Sequence, residues 1–121
     1  MSDNNFAAYL PHINVEEGMG RVLKNKKLYA RLLKSYLATT NTSAIEAAVA
    51  EGNISAAREA AHSIKGVSAN LSIIKTFEIS KDLEANFKTG EPYNDNLKLL
   101  KACIDEAVPI LQKLIAELET V

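Results

Sequence analysis

The chain has few of the residues that interrupt helices and very few that build disulfides. Its 121 residues include five glycines, three prolines, no tryptophan and a single cysteine, Cys103. One cysteine cannot form an internal disulfide, and its isolation favours a reducing compartment. We therefore expect a cytoplasmic protein, with Cys103 in the core rather than at a reactive site.

Strong charge of either sign and long apolar runs are also missing. The formal net charge is −1, so the chain has no general basic field to hold nucleic acid or an anionic membrane. No stretch approaches the roughly 18 apolar residues of a membrane span, and residues 1–5 lack the basic start and apolar run of a signal peptide. We expect neither nucleic acid nor a membrane as a partner.

Motifs for nucleotide binding and for hydrolysis are absent as well. The sequence has no P-loop, no nucleotide-binding glycine pattern and no Ser/His/Asp set, so we expect no ATP binding, no autonomous kinase activity and no cofactor. Glu59 and His62 have the Glu-x-x-His spacing of di-metal carboxylate bundles, but that site needs a second copy. The only other histidine, His12, lacks this spacing, and we expect no metal.

The residues that are abundant predict an all-α fold. Alanine, leucine, lysine and glutamate favour helices, and 121 residues fit a single domain over 1–121. Four long amphipathic segments with short loops predict an antiparallel up-down four-helix bundle, with one or two short N-terminal helices capping one end. With their caps, the predicted helices cover about residues 4–10, 15–23, 25–39, 43–52, 54–71, 72–89 and 94–118. Ser43 and Glu46 have the spacing of a capping box for the fourth of these.

In the segment over residues 54–71, one histidine is predicted to lie on the side of the helix away from an apolar stripe. The inward face is predicted from residues that recur at three- and four-residue steps: Ile54, Ala57, Ala61, Ile64, Ser68 and Leu71. At roughly 100° per residue, His62 falls about 140° from the centre of that stripe. Gly66 lies almost opposite the stripe, and Lys65 lies at its border. The water-facing side around His62 and Gly66 also holds Glu59, Ser63, Ala69 and Asn70.

This arrangement suits a phosphoryl group that arrives and leaves. A mid-helix glycine costs about 1 kcal/mol relative to alanine, and at Gly66 its bare backbone leaves room for another molecule close to His62. Lys65 can bring a positive charge to the same place to neutralise the phosphoryl oxygens, or it can extend over the edge of the bundle. Histidine is an accepted nucleophile. We expect Nε2 to attack, because Nδ1 lies closer to the backbone and to a neighbouring helix.

His62-x-x-Lys65-Gly66, followed by Ser68-Ala69-Asn70-Leu71, resembles the signature of histidine-containing phosphotransfer (HPt) domains. The likeness covers nearly the whole chain. It extends through Leu10-Pro11, Ile13–Gly18, Leu28-Tyr29, Leu32-Leu33 and Leu83-Glu84. One position departs from the family, which usually has glycine after the Asn-Leu pair, where this chain has Ser72. Serine is a good N-cap, so we expect a sharp turn into the next helix to survive the change.

The resemblance implies a phosphoryl carrier in a multistep phosphorelay of two-component signalling. His62 would receive a phosphoryl group from an aspartyl-phosphate on one receiver domain and pass it to the aspartate of a second, with the Mg²⁺ belonging to the receiver. The partners would be receiver domains of response regulators or a hybrid histidine kinase, and we expect a monomer. Two alternatives remain: an HPt-like helical adaptor that binds a receiver or kinase without transfer, and a helical bundle of unrelated role.

Glu84 is a carboxylate in an apolar setting, about 40° from the middle of the inward stripe of its predicted helix. Such a group needs a partner. HPt domains commonly carry Glu or Gln at this position. One interpretation is that Glu84 accepts a hydrogen bond from His62 Nδ1–H and so orients the ring. The other is an ion pair with Lys65 or with Lys88, and the sequence leaves both open.

We expect a receiver to dock on the surface around His62. The residues predicted for this surface are Glu59, Ser63, Gly66, Ala69, Asn70 and Lys88. Lys88 would add positive charge at longer range, although a plain surface lysine is the simpler interpretation. We expect the apolar part of the surface to include exposed residues of the short N-terminal helix around Val15 and Met19.

Overall fold

A computed structural model describes residues 6–120, and its regular elements are all helices. A 3₁₀ helix precedes six α-helices: Phe6–Tyr9 (3₁₀), Val15–Arg21 (α1), Lys26–Thr39 (α2), Ser43–Ala50 (α3), Ile54–Asn70 (α4), Ile74–Thr89 (α5) and Asn94–Leu118 (α6). The predicted all-α bundle with short N-terminal helices is confirmed. Residues 4 and 5 of the first predicted segment lie outside the described residues.

The helices run alternately up and down around two apolar clusters. One cluster joins α1 and α2 to the second half of α6, and the other joins α3, α4 and α5 to its first half. Helices α2 and α3 therefore belong to different clusters, α2 to the one at the second half of α6 and α3 to the one at its first half. Helix α4 packs against α3 and α5, and α5 packs against α6. With 25 residues, α6 is about 37 Å long and spans both clusters.

Asparagine side chains cap three of the six α-helices, namely α1, α2 and α4. Asn25 Oδ1 accepts a hydrogen bond from the backbone N–H of Leu28 at 3.0 Å. At the start of α4, Asn53 Oδ1 accepts one from the backbone N–H of Ala56 at 3.0 Å. These two asparagines are the N-caps of α2 and α4. The predicted cap at Ser43 is wrong, because Thr42 occupies the N-cap position of α3 and its hydroxyl bonds the Glu46 carboxylate.

The turn between α4 and α5 keeps the backbone shape that glycine favours, although it contains Ser72. Ser72 has φ +59°, a left-handed conformation that costs an ordinary residue about 1–2 kcal/mol. The expectation that it caps the next helix is wrong, since Ile73 is the N-cap of α5. Instead its buried hydroxyl donates to Glu17 Oε1 at 2.8 Å and accepts a hydrogen bond from Arg21. The turn is thus joined to α1.

Burial matches the predicted stripe of α4 except at its first residue. Ala57, Ala61, Ile64, Ser68 and Leu71 are buried, whereas Ile54 at the N-terminus of the helix is 37% exposed. Ser68 is the polar member of the stripe, and its hydroxyl lies 3.1 Å from that of Tyr36. The expectation of exposed apolar residues on α1 is wrong, because Val15 and Met19 are buried against α2 and α6.

Two further features of the described residues bear on the expectations above. Cys103 is a free thiol in the core, 3% exposed. None of the helices within residues 6–120 combines the length and apolar character that crossing a bilayer would require.

Candidate functional site

His62 stands on the solvent side of α4. Its side chain is 65% exposed, while Ala61 beside it is fully buried. The helical periodicity explains this contrast, because consecutive residues point about 100° apart. The predicted exposure of the imidazole is therefore what the structure shows.

Glu84 on α5 contacts two of the three groups that the sequence analysis proposed as its partners, His62 and Lys65. Its Oε2 lies 2.8 Å from His62 Nδ1, and its Oε1 lies 2.5 Å from Lys65 Nζ. The Glu84 side chain is only 14% exposed, and that of Lys65 is 27% exposed. Lys88 is exposed and forms no ion pair with any residue of the described chain. One carboxylate thus holds the ring and the lysine together.

The protonation of this trio follows from the charge of Glu84. Burial raises the pKa of Glu84, but hydrogen bonds from Lys65 and His62 together with their charges outweigh burial and hold its pKa below the ordinary value. Glu84 is therefore ionised at neutral pH and can only accept hydrogen bonds. Nδ1 of His62 must be the donor. In the neutral ring this leaves the lone pair on Nε2, at the exposed side.

An open cleft of about 450 Å³ lies beside the ring. Its lining residues come mainly from one face of α4: Ser55, Arg58, Glu59, His62, Ser63 and Glu84. The sequence prediction included Glu59 and Ser63 here but missed Ser55 and Arg58. The signal that points to Arg58 is its spacing, since a residue four before His62 lies on the same helix face. Lys65 does not line this cleft.

The remaining predicted docking residues lie along α4 towards its C-terminus and on α5. A side chain at Gly66 would meet no atom within 4 Å, so the surface there is open. Ala69 is half-buried, and Asn70 is exposed. Ala69 also lines a second cleft of about 310 Å³, in which Glu17 and Arg21 supply the contribution of α1. The short helix therefore offers charged side chains here, not the buried Val15 and Met19.

No three His, Cys, Asp or Glu side chains between residues 6 and 120 come together in an arrangement that could hold a metal ion. The site is an exposed histidine whose ring is held by a buried carboxylate, with Lys65 bound to the same carboxylate and Arg58 on the adjoining cleft.

A comparison with protein families shows the family of the chain. A family model described as the Hpt domain matches residues 32–120, which is most of the chain. The protein belongs to the Hpt domain family. The match includes His62, Lys65, Gly66 and Glu84. It begins at residue 32, so the similar segments before that residue lie outside it. Comparisons with curated proteins and with solved structures gave no significant match.

Proposed function

We propose that this protein carries a phosphoryl group on His62 Nε2 between the aspartates of two receiver domains. Family membership implies contact with receivers, and the observation that supports the transfer is the geometry of the ring. Nδ1 is engaged by Glu84 at 2.8 Å, while the side chain is 65% exposed. In the neutral form of the ring, Nε2 therefore keeps the lone pair that attacks phosphorus.

The transfer step conserves atoms and charge. The Nε2 lone pair forms a bond to phosphorus as the bond to the aspartate oxygen of the donor breaks, and the aspartate leaves as a carboxylate. The proton on Nδ1 stays in place, so the phosphorylated ring is an imidazolium. Ionised Glu84 stabilises that positive ring, because the hydrogen bond to Nδ1 becomes charge-assisted. In the reverse step, an aspartate of the second receiver attacks phosphorus and the neutral ring leaves.

Most of the acceleration would come from positioning and charge neutralisation, as in other phosphoryl transfers. Glu84 fixes the ring, and Lys65 contributes its positive charge from behind the ring while bound to Glu84 Oε1. Gly66, Ala69 and Asn70 would form the docking surface with Glu59 and Ser63. The contact would be modest in area and transient, because donor and acceptor use the same surface in turn.

The proposal also covers the cellular compartment and the oligomeric state. The buried, unpaired Cys103 fits a reducing compartment, and we propose the cytoplasm. We also propose that the chain acts as a monomer, since the docking surface must be free for each receiver.

The test is incubation with receiver domains carrying a labelled aspartyl-phosphate. We expect the natural chain to gain an acid-labile, alkali-stable label that His62→Gln does not gain. The matched control is His12→Gln, which removes the other histidine and should label normally. Receiver binding without label on the natural chain would support the adaptor alternative. Neither label nor binding to any receiver from the same genome would leave a helical bundle of unrelated role.

A further inference from the structure

The charge of the site is not balanced by Lys65 once a phosphoryl group is present. In the resting protein, the charge of the Lys65 ammonium is matched by that of the Glu84 carboxylate. A phosphorylated ring adds a positive imidazolium and about two negative charges on phosphorus. The trio would then carry a net negative charge. Glu59 lies on the same cleft and makes the local charge more negative still.

Arg58 is the cation that faces this excess charge. It lines the cleft together with His62, and Lys65 does not. The Arg58 side chain is exposed, and its guanidinium forms no ion pair with another residue in the range 6–120, whereas Lys65 is paired with Glu84. It is therefore available to an incoming group.

The helix geometry brings Arg58 within reach of Nε2. Residues four apart on one helix face have Cβ atoms about 5–6 Å from each other. Side chains of an α-helix lean towards its N-terminus, so the ring of His62 lies over the turn that carries Arg58. A guanidinium is a planar fork whose N–H groups can bond two phosphoryl oxygens at once. Lysine offers only a point charge.

We propose that Arg58 binds the phosphoryl oxygens on His62 Nε2, while Lys65 serves mainly to position Glu84. This inference rests on the proposed phosphoryl transfer and adds a residue to it. Arg58 is exposed on the cleft, whereas Lys65 is bound to Glu84 and does not line it. The cleft between α4 and α5 is then the space that the phosphoryl group occupies.

The experiment must separate contact with the phosphoryl group from contact with a receiver protein. Phosphoramidate serves as the first donor, because it has no protein surface: Nε2 bonds to phosphorus, the P–N bond breaks and ammonia leaves. We expect Arg58→Gln to label about 10- to 100-fold more slowly, the effect of one lost charge-assisted hydrogen bond. Arg58→Lys should recover part of that rate. Arg31→Gln is the matched control, an exposed arginine on α2 whose loss changes the net charge equally, and it should label normally.

The second donor is a phosphorylated receiver at saturating concentration, which reports the transfer rate apart from binding. We expect Arg58→Gln to lower this rate and to leave the half-saturating concentration nearly unchanged. Equal phosphoramidate rates for Arg58→Gln and the natural chain would overturn the role of Arg58, whatever the receiver result. Failure of the natural chain to label on His62 with either donor would overturn the proposed function itself.

Discussion

Replacing Gly66 by alanine separates the stability of α4 from its use as a docking surface. Gly66 lies inside the helix, four residues after His62, and a Cβ there would meet no atom within 4 Å. Alanine in a helix interior is favoured over glycine by roughly 0.5–1 kcal/mol. With no clash to offset this gain, we expect Gly66→Ala to raise the free energy of unfolding by that amount. The melting temperature should rise by about 2–6 °C.

The same methyl group should slow phosphoryl transfer from a receiver. A receiver that packs on bare backbone must move away to admit the new atom, and small-to-large changes in packed contacts cost about 1–3 kcal/mol. We expect the half-saturating receiver concentration to increase roughly 5- to 150-fold. Labelling by phosphoramidate should not change, because that donor needs no protein contact.

Gly20 provides the matched control for this experiment. It lies near the end of α1, and a Cβ there also meets nothing within 4 Å. Gly20→Ala should leave transfer unchanged. The stabilities come from urea unfolding, and the transfer rates from single-turnover labelling. A more stable Gly66→Ala protein with unaltered transfer would refute the docking explanation, and an unchanged stability would refute the helix argument.

Three further predictions concern the turn after α4 and the site. Ser72→Ala should lower the free energy of unfolding by about 1–3 kcal/mol, because two charged partners on α1 lose their shared hydroxyl. Ser72→Gly should cost less, since glycine removes the strain at φ +59°, and urea unfolding of both checks that order. Tyr29→Phe should cost about 1–3 kcal/mol in the same assay, because the buried Leu71 carbonyl loses a 2.7 Å hydrogen bond. The depressed pKa of Glu84 means that its stabilisation is present above the ordinary value of 4.5 and is lost as pH falls through the folded value. The stability difference between the natural chain and Glu84→Gln should therefore shrink from about pH 7 to about pH 3, and a constant difference would contradict this.

The helices and the exposure of the nucleophile were predictable because both depend on local rules. Asn25 and Asn53 cap helices through bonds to backbone groups three residues away. The same periodicity that buries Ala61 turns His62 outward, whatever the helix packs against. Even so, local rules misplaced the cap of α3 by one residue, where Ser43 and Thr42 compete for the same role.

The partners of Glu84 could not be chosen from the sequence. Lys65 and His62 lie on α4, whereas Lys88 lies on α5, the helix that carries Glu84. The spacing within α5 allowed a pair with Lys88, but the packing of α4 against α5 brings the other two groups to the carboxylate. A contact between helices depends on their relative rotation and register, which a pattern along one helix does not contain.

The amino-acid sequence alone determined an all-helical bundle with His62 and Gly66 on the water side of α4, because each helix obeys its own 3.6-residue repeat. Only the tertiary structure decided that one carboxylate holds both the ring and Lys65, that Arg58 faces the cleft, and that α1 buries Val15 and Met19. Those outcomes depend on how separate helices meet, and they are fixed by the packing of the whole bundle.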